Sequence, residues 1–191
     1  MGINFKRKLF HIFFGLSLYF LTDFLSQDRI FYLLILLWAG LSVFEIMRIF
    51  FYEKIPLKVL WEPLLKIEER KKINDAWFFL SGLIFACLFL EKVEFKTVLL
   101  VLTLADPLAC MIGVPFGKHK LYKNKSLEGS LTFMFTASLI CAWGLKVINL
   151  KILFLALIFT CAEVFTRRDN FWIPFSGTVY LTLLKLPEIL R

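Results

Sequence analysis

The sequence predicts an all-α, polytopic membrane helix bundle of six or seven transmembrane helices, in a single domain over residues 1–191. Three observations carry this. Hydrophobic residues make up 59% of the chain, with twenty-three Phe and a mean hydropathy of +0.75, far more apolar than an ordinary soluble domain. Apolar stretches near the length that crosses a bilayer, about 20 residues, recur from one end to the other. The basic residues concentrate in alternate connecting segments.

In order, the spans are expected at 9–25, 30–51, 73–90, 95–114, 127–148 and 150–165, with a weaker one at 171–186. Pro174, Ser176, Gly177 and Thr178 dilute the last, which leaves crossing, tilted and re-entrant courses open. No small-residue cleavage site follows the first span, so it is expected to be retained. The segment 54–72 mixes charges with Ile55, Leu57, Trp61, Leu64 and Leu65 and is interrupted by Pro56 and Pro63. It reads as a broken interfacial helix serving as a membrane-hugging connector. Cys87, Cys110, Cys141 and Cys161 lie singly in apolar spans, which points to packing rather than a disulfide frame or zinc site. Neither an internal repeat nor a low-complexity linker divides the chain.

Lys6, Arg7 and Lys8, the basic residues of 54–72, the group Lys118, Lys120, Lys123 and Lys125, and the pair Arg167 and Arg168 all fall on one side if the spans alternate. The positive-inside rule makes that side cytoplasmic, in an inner or cell membrane, with the N-terminus on it. The net charge of +8 is explained by this topology and by a phosphate-bearing substrate, so no nucleic-acid partner is expected.

The candidate chemistry centres on 104–130. A carboxylate in an apolar run costs about 2.5–3.5 kcal/mol on the mildest insertion scales, which makes Asp106 a functional candidate; the competing role is to cap a helix break at Pro107. Mg2+ prefers hard oxygen and takes one or two carboxylates together with substrate phosphates, so a single Asp suffices to nominate a metal ligand. Downstream come Gly113, Gly117 and Lys118, then Lys125, Ser126, Glu128, Gly129 and Ser130 at the mouth of the next span, where free amides and a helix dipole favour a phosphate. Gly113 to Gly117 is one residue short of a Walker A loop, and no protein-kinase signature is present. For Lys118, Lys120 and Lys123 singly, topology setting is sufficient explanation. Further polar candidates are Glu45 and Arg48, three apart on the second span and equally readable as a structural ion pair or a site. Glu163, with Asp169 and Asn170 after it, and His11, close to Arg7 and Lys8, complete the set.

The order Arg-Lys-x-x-His, Glu-x-x-Arg, Asp-Pro-x-Ala-x-x-x-Gly-x-x-x-Gly-Lys, Lys-Ser-x-Glu-Gly-Ser and a late Glu with Asp-Asn resembles the CTP-dependent lipid kinases. These are the dolichol kinase, phytol kinase and yeast-type diacylglycerol kinase group, with bacterial diacylglycerol/polyprenol kinases among them. The resemblance implies transfer of the γ-phosphate of CTP to the hydroxyl of a membrane lipid alcohol, with Mg2+ as cofactor. Carried over by residue, it implies a basic pair at Arg7 and Lys8, an essential acid at Asp106, glycines at Gly113 and Gly117, and the run Lys125, Ser126, Glu128 and Gly129. Asp169 and Asn170 form the acid-amide pair. Within that scheme Asp106 and Asp169 hold the metal, and Asp169 or Glu128 takes the hydroxyl proton. Arg7, Lys8, Lys118, Lys125, Ser126 and Asn170 face the nucleotide. The bilayer supplies the lipid partner, and a homodimer is compatible with the sequence. The competing readings are a phosphatidate cytidylyltransferase, whose Asp-Arg-x-Asp ending is missing here, and a small transporter or scaffold using the same polar residues as packing glue.

Overall fold

A computed structural model describes residues 5–56, 58–65, 72–123 and 125–189. Each of the seven expected apolar spans is a helix, with ends shifted by a few residues. They are α1 (Phe5–Phe24), α2 (Gln27–Phe50), α4 (Asp75–Phe89), α5 (Lys92–Phe116), α6 (Leu127–Leu145), α7 (Leu150–Phe165) and α8 (Asp169–Ile189). By length and composition, α2 and α5 suffice to cross a membrane. Between α2 and α4, prolines break the segment into a short helix, α3 (Lys58–Trp61), flanked by 3-10 turns at Tyr52–Lys54 and Glu62–Leu64. Lys66, Arg70 and Lys71 of that segment, and Arg191, lie outside the described residues. A two-stranded antiparallel ribbon, β1 (Lys120–Tyr122) with β2 (Lys125–Ser126), joins α5 to α6; Lys123 takes a left-handed φ of 50° at its turn.

The helix starts are written locally. Asn74 caps α4 by accepting from the Trp77 amide at 3.1 Å, Glu91 and Glu94 form a reciprocal capping box on α5, Ser126 caps α6 through Gly129, and Asn149 caps α7. α5 is the central helix. Through its middle, from Thr97 to Thr103, it is buried on every side, with Val98, Leu99, Val101 and Leu102 at 0% exposure. α1, α6 and α8 pack around it, while α2 packs on α4 and α7 bridges α6 and α8.

Two open points are decided. Pro107 does not interrupt the fourth span: α5 runs unbroken through Pro107 and Pro115. A neighbouring helix supplies a polar partner near the proline, since His11 of α1 donates from Nε2 to the Leu102 carbonyl at 3.0 Å. The last span is a continuous helix. Its diluting residues turn inward, with Thr178 buried and bonded back to the Pro174 carbonyl at 2.7 Å. Gly177 sits where any side chain would run into the Phe159 ring.

Gly113 belongs to α5 and not to an open loop. Together with Gly129 it sets the α5–α6 spacing: a Cβ on Gly129 would stand 3.0 Å from the Ala109 carbonyl oxygen and 3.1 Å from the Gly113 Cα. The neighbours are backbone and cannot swing aside. Gly129→Val should therefore lower the melting temperature in detergent, by the equivalent of about 1–3 kcal/mol of overpacking. Gly40→Ala, at an exposed helical position with open space around it, should leave the melting temperature unchanged or raise it.

Candidate functional site

Polar side chains from five of the long helices and from the β2 strand converge at the end of the bundle where α1 begins. The first contact is between chain segments 98 positions apart: Lys8 donates from Nζ to Asp106 Oδ2 at 2.6 Å, and both side chains are nearly buried, at 12% and 9% exposure. Asp106 lies ten residues before the end of α5. At about 1.5 Å per residue, α5 and the ribbon that follows project about 15 Å past the level of Asp106. The carboxylate thus sits level with the first turns of α1, beneath an overhang, and not midway along the bundle.

Lys125 comes down from β2 into the same region. Its ammonium donates to Glu163 Oε1 of α7 in a very short contact and to Asp169 Oδ2 at 3.1 Å. It also lies within the field of Asp106. Burial by itself would lower the Lys125 pKa, but Asp169, Glu163 and Asp106 outweigh it and hold the group above the usual lysine range. Lys125 is therefore a fixed cation at any physiological pH. Lys118, Lys120 and Lys123, by contrast, are exposed. Among the loop lysines, only Lys125 is directed into the cluster.

A third set of contacts was not legible in the sequence. Asp75, the first residue of α4, receives Arg7 NH1 at 2.9 Å on one oxygen and Arg168 NH1 at 3.3 Å on the other. Asn170 Nδ2 reaches the Asp75 carbonyl at 3.4 Å. Asp75 therefore ties α1 and the start of α8 to α4. A first-turn acid following an Asn cap has an ordinary helix-capping explanation, which hid it. Glu45 and Arg48 support this corner from behind. They form a fully buried pair in which Arg48 NH2 donates to Glu45 Oε2 and to the Lys72 carbonyl, each at 2.6 Å, and Glu45 accepts from the Asn74 amide at 3.0 Å. Of the two roles open for that pair, its contacts are those of a brace for the chain entering α4.

The glycine and serine positions are organised differently from an open phosphate loop. Ser126 Oγ accepts from the Gly129 amide at 3.2 Å and donates to the Gly113 carbonyl at 3.2 Å, while the Leu127 amide donates to the His119 carbonyl at 2.8 Å. Two of the amides expected to be free at the α6 start are thus engaged in capping. Glu128 turns away from Asp106 toward the ribbon. It accepts from the amides of Lys118 and His119, at 3.1 and 3.2 Å, and from His119 Nδ1 at 2.8 Å. Gly117, between α5 and the ribbon, packs against Ser126.

Beside the cluster lies a cavity of about 340 Å3 with two unlike ends. Arg7, Lys8, His11, Asn74, Asp75, Asp106, Asp169 and Asn170 are its polar lining, and the other lining side chains are aromatic and aliphatic. Among the described residues, no three His, Cys, Asp or Glu side chains form a ready-made metal cage. The donors fit Mg2+ in the way that ion usually binds, through one or two carboxylates plus substrate oxygens. Asp106 and Asp169 reach the same cavity, and the buried oxygens Glu163 Oε2 and Asn170 Oδ1 have no hydrogen-bond partner.

No family model matches the chain, and no solved structure matches it. Over 142 residues it is 28% identical to CTP-dependent diacylglycerol kinase 1 of Saccharomyces cerevisiae (strain ATCC 204508 / S288c), covering 72% of this chain and 48% of that protein. The chain thus spans about half the length of the curated relative it matches.

Removing one partner of the Lys8–Asp106 pair leaves a buried charge. Lys8→Met should destabilise the protein by about 3–5 kcal/mol, and the double variant Lys8→Met with Asp106→Leu should recover much of that loss. Thermal denaturation of the single and double variants in detergent measures both.

Proposed function

We propose that this chain is an integral-membrane, CTP-dependent lipid-alcohol kinase. It transfers the γ-phosphate of CTP to the hydroxyl of diacylglycerol, a polyprenol or a phytol-like prenol at the cytoplasmic face. The observation that carries the reading is the convergence of Lys8, Asp106, Lys125, Glu163 and Asp169 at one end of an apolar bundle, beside a cavity with an apolar wall. Charge of both signs is gathered where a triphosphate and a lipid hydroxyl can both reach it. The similarity to a yeast CTP-dependent diacylglycerol kinase supports the choice of donor and of acceptor class.

Phosphoryl transfer asks a protein mainly for alignment and charge stabilisation. Lys125 and Lys8, paired with carboxylates when no substrate is bound, are the cations that exchange those partners for phosphate oxygens. Arg7 stands next in line, held by Asp75. In the transfer step the acceptor oxygen forms a bond to the γ-phosphorus, the bond from that phosphorus to the β–γ bridging oxygen breaks, and CDP departs. The hydroxyl proton passes to Asp169. Glu128, the other candidate base, is turned toward the Lys118 and His119 amides and serves to shape the loop over the site. Mg2+, held by Asp106 and Asp169, would neutralise charge on the donor phosphates. Asn170 and Glu163 supply the remaining oxygens of that wall.

The test is a transfer assay on detergent-purified protein, with CTP labelled separately on the γ-phosphate and on cytosine, against a panel of lipid alcohols and phosphatidate. γ-Label in the lipid is expected, with Asp106→Asn and Lys125→Met each reduced at least 100-fold while remaining folded. Cytosine label in phosphatidate would instead identify a cytidylyltransferase. The absence of transfer with either label would return the chain to a transporter or scaffold.

A further inference from the structure

We propose that the two-ended cavity is the acceptor site, with the lipid's chain lying between α1 and α2 beneath a roof formed by the α3 segment. The ligand class rests on the reading above; the place and the route of access rest on geometry. α1 and α2 share a turn at Leu25 and Ser26, yet α1 packs on α5 and α2 on α4. Toward the polar end they therefore line opposite sides of a space, with Phe14 of α1 facing it from one side and Leu37, Leu41 and Phe44 of α2 from the other. Phe79 and Leu80 of α4 form its floor.

The α3 segment closes the top. Trp61, Leu64 and Leu65 line the cavity, and the turn at Glu62–Leu64 rests on α1. This covering leaves the gap between α1 and α2 as the way in, and that gap opens on the flank of the bundle, where hydrocarbon is the solvent.

The apolar stretch of the wall suits hydrocarbon better than a base or a ribose. Trp61 spends its indole N–H on the Pro56 carbonyl at 3.3 Å, and Asn74 is engaged at the α4 cap. Behind the wall, Trp38 and Trp77 donate to Ser81 and Ser42, each at 2.9 Å. A cytosine or ribose placed there would find nothing to satisfy its polar atoms. A hydrocarbon chain needs no partner, and its hydroxyl would arrive at Asp106 and Asp169. The occupant is therefore a lipid with one small polar group. The nucleotide is left the other face of the Lys8–Asp106 pair, beneath the overhang of α5 and the ribbon, where Lys125 enters. The two substrates would meet across that ion pair.

Two measurements test this on the full chain. First, a long-chain alcohol carrying a diazirine a few carbons from its hydroxyl is photolysed with nanodisc-embedded protein in the absence of nucleotide, and the labelled peptides are mapped by mass spectrometry. Label is expected on residues 10–14 and 37–44 and on the α3 segment, competed by unlabelled alcohol; label scattered over the outer helix faces would overturn the proposal. Second, Leu41→Trp, which fills the space, should raise KM for the lipid alcohol at least tenfold and leave KM for CTP within twofold. Leu36→Trp, on the exposed face of α2 at 70% exposure, should change neither. Equal effects of Leu41→Trp on both KM values, or none on the lipid, would also overturn it. Cross-linking confined to the cavity in a protein that transfers no phosphate would uphold the lipid site and reject the kinase reading. Transfer with scattered label would do the reverse.

Discussion

The ion pair between Lys8 and Asp106 is the contact on which the rest of the polar end depends. A carboxylate surrounded by apolar helices is tolerable only with a cation against it, and here the cation comes from the far end of the chain. The pair holds the first helix against the central one and leaves the neighbouring acids to Lys125. Around it the charges alternate, with Asp75 between two arginines and Lys125 between two acids. Each of these charges thereby has an opposite charge against it.

The supporting structure is divided by task. Glycine contacts and serine caps fix the α5–α6 hairpin, while the buried Glu45–Arg48 pair fixes the chain that delivers Asp75. Neither element needs to touch a substrate to matter. They hold in place the segments that carry Asp75, the partner of Arg7, and Lys125, the partner of Glu163 and Asp169. Glu128 belongs with them, since its bonds to two consecutive loop amides and to His119 hold the ribbon folded back over the site.

The fold was legible in the sequence to the extent that it depends on local patterns. The apolar helices and the proline-broken connector follow from hydropathy and helix chemistry, and they appear in the expected order. Asp106 stood out because a charge in an apolar run needs a reason, and Lys125 because it stands at the mouth of a helix. What could not be read was pairing. Nothing near Asp106 names Lys8 as its partner, and nothing near Asp75 reveals two arginines drawn from opposite ends of the chain. Gly113 falls within the expected fourth span, but nothing local shows that it meets Gly129 of α6 there. The positions of Arg7, Asp169 and Asn170 at one cavity likewise depend on how α1 and α8 are brought side by side with α4, which no local signal encodes.

One consequence concerns how the molecule is made. The polar end draws Arg7 and Lys8 from the first long helix and Asp169 and Asn170 from the last. Until the last helix is in place, Asp75 lacks Arg168 and Lys125 lacks one of its two acids. The polar end is therefore complete only once the start of α8 has joined α1 and α4.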